Sequence, residues 1–279
     1  SKADRAGIDR RSAEAIWDEI LRFAAYSYCK AHATVYANIA WETAYLKAHY
    51  PIEFMCALMT TDGDNHDRLV SDVTHVRRMG SDVLGPDINL SELDFKPEPN
   101  AEGTESIRFG LGAIKNVGKG AAESILHIRR DHPGGAFSSL EDFCSAVDWS
   151  KVSRKVADSL AKSGALDCFG PRSVVINRLE PAISGAIERQ RAAAKGQLGF
   201  DMLGGQITKP LEIPDSVTKN LELPLSQRLS WERELLGIYL SDHPVNDVLQ
   251  RVGLEGRQQI HDVENRFPGD RVRIIGRIK

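Results

Sequence analysis

Ile114-Lys115-Asn116-Val117-Gly118-Lys119-Gly120-Ala121-Ala122-Glu123-Ser124-Ile125-Leu126 reads as a helix, a tight turn and a second helix. Two glycines allow a sharp bend and leave no side chain to block close approach. The second helix is expected to start at Ala121, with unpaired N–H groups and the positive end of its dipole at the bend. Such an end holds an anion, and a phosphate held this way is gripped without any base being read. Lys115 and Lys119 add positive charge beside it. Asn116 stands where left-handed geometry is expected, and Asn tolerates that region best after glycine.

The pattern is that of a helix-hairpin-helix, a sequence-independent grip on a nucleic acid backbone. The usual hairpin carries Gly where this chain has Asn116. Taken alone, an ordinary helical packing turn would read similarly. Val152-Ser153-Arg154-Lys155, followed by Ser163-Gly164-Ala165-Leu166-Asp167 and Gly170-Pro171-Arg172, forms a weaker partner hairpin. There Arg154, Lys155, Lys162 and Arg172 are candidates to meet phosphate, and each reads equally well as part of a solvated helix face.

Working outward, apolar spacing predicts helices over 12–26, 34–48 and from Pro51 to about Thr60, with Ser12 as a cap for the first. The helix over 34–48 is apolar nearly all round and is expected to be buried. Leu69, Val70, Val73 and Val76 mark a fourth helix, stopped by Gly80. Leu93–Lys96 and Ile107–Phe109 are expected to pair as a short β-hairpin. Further helices are expected near 138–147, after a Ser153 cap, and over 173–194 and 226–240. The stretch 196–224, punctuated by Gly, Leu and Pro, reads as a linker. The tail from about 266 reads as the start of an all-β element. Ser1 is not preceded by Met and the last residues lie within a strand-like run, so both ends are expected to be cut.

Composition is that of an ordinary globular chain, 42% hydrophobic and 27% charged over 279 residues. No apolar run approaches the roughly 18 residues of a membrane span. The four cysteines, at 29, 56, 144 and 168, make no CxxC pair, so neither a zinc site nor a redox motif is supported. Net charge is −3, yet thirteen Lys/Arg face nine Asp/Glu between Arg108 and Arg191, a local net of +4. A basic middle between acidic ends permits a phosphate-binding surface.

Tyr26-Ser27-Tyr28-Cys29-Lys30-Ala31-His32-Ala33, then Ala44-Tyr45-Leu46-Lys47-Ala48-His49-Tyr50-Pro51-Ile52-Glu53-Phe54-Met55, resembles the fingers of the C-family DNA polymerases, the bacterial DNA polymerase III alpha subunits. Further resemblances follow in order: Gly85-Pro86-Asp87-Ile88-Asn89, Phe109 to Lys115, Leu160 to Gly170, and Glu232 to Pro244. The family implies a mainly α fold. Its parts would be the C-terminal fingers (1–92), a helix-hairpin-helix duplex-binding domain with a short β-hairpin (93–195) and a linker (196–225). A helical connector (226–265) and the truncated start of an OB fold (266–279) would follow.

The same resemblance implies roles. Tyr26, Lys30 and His32 correspond to positions facing an incoming dNTP, where cationic and hydrogen-bonding groups suit a triphosphate. Cys29 departs from the Asn common there. Lys115, Asn116, Gly118, Lys119, Gly120, Arg154, Lys155 and Arg172 would line the duplex backbone. Gln197, Leu198 and Phe200 fall where the family carries its sliding-clamp peptide, one residue short of that pattern. The implied partners are primer–template duplex, dNTP, the clamp and other replicase subunits, in the cytoplasm and with no membrane. The parent activity would be DNA-directed DNA polymerisation with Mg2+. Its metal-binding aspartates would lie on a palm domain outside this stretch, so no catalytic or metal-binding residue is expected here. Asp62-Gly63-Asp64 reads as turn chemistry. The rival reading is a non-catalytic helix-hairpin-helix module of a repair or recombination protein, which explains 108–170 but not 26–55.

Overall fold

In a computed structural model the described residues are Gly7, 9–27, 29–63, 65–99, 105–194 and 223–242. The linker and clamp-peptide residues 196–222, and the expected OB-fold strand, lie outside them. The chain divides into two compact units, Ser1–Phe54 and Met55–Lys279. Met55, Cys56, Met59, Leu69, Val73 and Val76 are core residues of the second unit.

The first unit holds helix α1 (Arg10–Ser27), helix α2 (Lys30–His49) and the start of α3 (Pro51–Asp62). Helix α1 starts earlier than expected because Asp9, not Ser12, caps it. The Asp9 carboxylate accepts from the Ser12 amide at 3.0 Å and from its hydroxyl at 2.6 Å. These bonds hold the Asp9 carboxyl below its ordinary range. Helix α2 forms as expected, but the expectation of burial fails: none of its residues is buried. Trp41 is 65% exposed and Tyr36 60%. A helix apolar on every side needs neighbours on every side, and little more than two helices do not supply them.

The second unit continues through α4 (His66–Arg78), strands β1 (Val83–Leu84), β2 (Lys96–Pro99) and β3 (Glu105–Arg108), and a 3-10 turn at Leu111–Ala113. Helices α5 (Lys119–Asp131), α6 (Leu140–Ala146), α7 (Arg154–Ser163), α8 (Arg172–Ala194) and α9 (Leu225–Leu235) follow. The expected hairpin is present with its pairing shifted, Lys96 opposite Arg108 and Pro99 opposite Glu105. Strand β1 was not foreseen. It pairs in parallel with β3, which is therefore central. Pro97 and Pro99 sit on edge strand β2, where a missing N–H costs least. Fully buried Phe109, Leu111, Ile114, Ile125, Phe143, Leu160 and Leu166 form the core beneath both hairpins.

The Gly85–Asn89 turn ties this core together. The Ile88 N–H reaches the Ala165 carbonyl at 2.8 Å, from the first hairpin's side to the second. The Asn89 side chain pairs twice with the Phe137 backbone, at 2.8 and 2.9 Å. The Ser91 hydroxyl donates to the Phe109 carbonyl at 2.7 Å. Arg129, only 5% exposed, donates to the carbonyls of Ile88 (3.0 Å) and Ser91 (2.6 Å) and to Glu92 (2.8 Å). The family-like motif thus has a packing role that the sequence alone did not disclose.

Candidate nucleic-acid interface

The first hairpin differs from the expected helix–turn–helix in its first arm, which is one 3-10 turn. Helix α5 begins at Lys119, two residues before the expected start, with Gly118 as N-cap. Asn116 takes the left-handed position, with φ of 70°, alone among the described non-glycine residues. Its side-chain amide donates to the Ser159 hydroxyl of α7 at 3.2 Å.

The amides divide cleanly. Lys115 N–H is used by the Leu235 carbonyl at 2.8 Å, and Val117 N–H by the Ile114 carbonyl at 2.9 Å. Those of Asn116, Gly118, Lys119 and Gly120 meet no protein acceptor among the described residues, and all four residues are exposed; the last three lie at the start of α5. These three are the open donors of a helix N-terminus. The glycines are not demanded by the fold. Gly118 has an ordinary φ of −67°, and a Cβ at either glycine would meet nothing within 4 Å. What they leave open is the space outside the protein.

Cationic side chains flank the bend. Lys115 is exposed and free of ion pairs among the described residues; Lys119 lies 3.8 Å from Glu123. In the second hairpin Lys155 is exposed, while Arg154 pairs with Glu180 on α8. Arg172 does not match its expected role. Its guanidinium holds Asp167 at 2.7 Å and the Lys162 carbonyl at 3.2 Å, with 11% of the side chain exposed. It closes the turn instead of facing out. Gly164 lies there at φ of +92°, left-handed geometry that favours glycine.

In the first unit, Lys30 opens α2 and is exposed. The exposed His32 ring lies 4.4 Å from that of Tyr36. The Tyr26 side chain lies outside the described residues. No group of three or more His, Cys, Asp or Glu suited to a metal ion occurs among the described residues. Burial pushes the thiol of Cys144 up to about 12, with Glu141 adding to the shift. That of Cys168 also rises to about 12, through burial and the neighbouring Asp87. No helix among the described residues is long and apolar enough to cross a membrane.

The sequence family described as "Helix-hairpin-helix motif" matches residues 80–174, which contain both hairpins and the turn that joins them. These residues therefore form a helix-hairpin-helix region. Over its length the chain is similar to the DNA polymerase III subunit alpha of Vibrio cholerae, 39% identical over 251 residues, 90% of this chain and 21% of that protein. It is 33% identical to that of Campylobacter jejuni over 279 residues, covering 99% of this chain and 23% of the relative. With that of Saccharopolyspora erythraea it shares 40% over 246 residues. The chain is thus similar to a segment of the DNA polymerase III alpha subunits and spans about one fifth of the length of the curated relatives it matches.

Proposed function

We propose that this chain is part of a DNA-directed DNA polymerase of the polymerase III alpha type, and that residues 80–174 grip duplex DNA by its backbone without reading sequence. The observation that carries this is the exposed bend over 116–120, where α5 begins, with open amides at Asn116, Gly118, Lys119 and Gly120 and with Lys115 beside it. An oriented N-terminus with adjacent lysines suits a phosphate oxygen and offers nothing to a base edge. Lys155, exposed on the second hairpin, would add a further cationic contact. The similarity also extends beyond 80–174 into the first unit, which favours a polymerase segment over a free-standing hairpin module.

In the same reading Lys30 and His32, with Tyr26, face the triphosphate of an incoming dNTP. The two metal ions of nucleotidyl transfer would be Mg2+ held by carboxylates elsewhere in the longer polymerase. Gln197, Leu198 and Phe200 would dock on a sliding clamp, and other replicase subunits would complete the assembly.

The test is binding of this chain to duplexes of unrelated sequence, across a salt series. The expected result is one affinity for all sequences, with log K falling linearly against log salt. Equal affinity for an unrelated polyanion such as polyphosphate would overturn the duplex grip. For the nucleotide role, Lys30→Ala in the full-length polymerase is expected to raise the KM for dNTP; an unchanged KM removes Lys30 from the site.

A further inference from the structure

We propose that residues 225–242 brace the phosphate-facing bend, with Trp231 and Glu232 as positioning residues that touch no DNA; this rests on the duplex-gripping reading above. Helix α9 comes from beyond the 195–222 stretch, yet it contacts both hairpins. The carbonyl of its last residue, Leu235, has no donor within the helix. It accepts instead from Lys115 N–H at 2.8 Å, immediately before the left-handed Asn116. One turn earlier, the Trp231 ring lies 5.8 Å from Lys162 Nζ on α7, in the second hairpin. One helix therefore holds the first hairpin by its backbone and the second by a side chain.

Glu232 fixes that helix. It is 2% exposed and accepts from the amides of Leu240 (2.9 Å) and Ser241 (3.1 Å) and from the Ser241 hydroxyl. A buried carboxylate so fully satisfied folds the following chain back against α9. The turn between them passes through left-handed Gly237, against which His66 of α4 is packed; a Cβ there would lie 2.1 Å from His66 Nδ1. The brace thus meets α4 at one end and the bend at the other. A bend held in place beforehand need not be ordered when phosphate arrives, so the ordering cost of binding falls.

The experiment compares the 279-residue chain with Glu232→Gln and Trp231→Ala, both checked for helicity and cooperative unfolding. Hydrogen exchange of the Lys115 amide and affinity for duplex are read together. In Glu232→Gln, Lys115 is expected to exchange roughly tenfold faster, with Leu126 inside α5 unchanged, and affinity to fall about tenfold. The salt slope is expected to stay the same, because the bound phosphate contacts are the same. Trp231→Ala moves both readouts in the same direction, and carries the test should Glu232→Gln not fold. Unchanged exchange at Lys115 in a folded variant overturns the brace. Faster exchange with unchanged affinity overturns the positioning role. Failure of the unaltered chain to bind any duplex would instead defeat the gripping reading, and exchange at Lys115 would still decide whether 225–242 fixes the bend.

Discussion

Asn116 and Ser159 are joined across 3.2 Å, side-chain amide to hydroxyl, so the residue that turns the first hairpin is also tied to the helix that opens the second. Two demands meet at Asn116: a φ of 70° and a donor aimed at α7. Ala at this position meets neither, and it pays about 1–2 kcal/mol in left-handed geometry. Asn116→Gly loses only the bond. Chemical denaturation is expected to rank the stabilities wild type, then Gly, then Ala. Equal losses for Gly and Ala would mean that backbone geometry is not what selects Asn.

Gly120 gives a prediction in which stability and binding move apart. It sits in the first turn of α5, with open space where a Cβ would be. Gly120→Ala is expected to stabilise the fold by roughly 0.5–1 kcal/mol, since Gly is the poorer helix former. The same methyl stands where a phosphate would approach, so duplex affinity is expected to fall. A rise in melting temperature with unchanged affinity would place the DNA elsewhere.

Some helices of the second unit were legible because they carry a local signal. The Ser139 hydroxyl accepts from Asp142 N–H at 3.1 Å and the Ser153 hydroxyl from Val156 N–H at 3.3 Å. Gly164 ends α7 in left-handed geometry. What could not be read was set by partners beyond the reach of a single helical turn. Strand β1 is two residues long and exists only because β3 lies beside it. Arg172 looked like a surface cation because Asp167 and the Lys162 carbonyl are brought to it by the turn. The burial of Glu232 has no sequence signature, since its donors lie at 240 and 241 and are delivered by a loop. The exposed apolar sides of α2 mark the opposite limit: composition states that a surface is apolar, not what covers it.

Acid should weaken the sheet through Glu98. The Arg108 guanidinium, bonded to it at 2.8 Å through Nε, holds its carboxyl below the ordinary 4.5, against the opposing effect of burial. A carboxyl lowered in the folded state contributes stability above its unfolded value, and loses it as pH falls through the folded one. The pair is largely covered, with side chains 13% and 20% exposed, so its loss is expected to cost on the order of 1 kcal/mol. Glu98→Gln should therefore be less stable than wild type at pH 7, and the gap should close as pH drops below about 4.5. A gap independent of pH would show that packing, not charge, is what Glu98 supplies.

Arg129 allows the sharpest test of the Gly85–Asn89 hub. Its guanidinium satisfies two buried carbonyls and Glu92 from one rigid fork, a geometry that an ammonium cannot reproduce. Arg129→Met keeps the stem but leaves the Ile88 and Ser91 carbonyls without this donor, at about 3 kcal/mol. Arg129→Lys restores the charge and some of the bonds, and its cost should fall between Met and wild type. Because Ile88 N–H reaches Ala165, loosening this turn should reach the second hairpin as well. Faster hydrogen exchange at Ile88 in Arg129→Met, with α4 unchanged, is the expected signature. A loss confined to α5, with Ile88 still protected, would mean that the turn holds its shape without Arg129 and that the two hairpins are joined by other means.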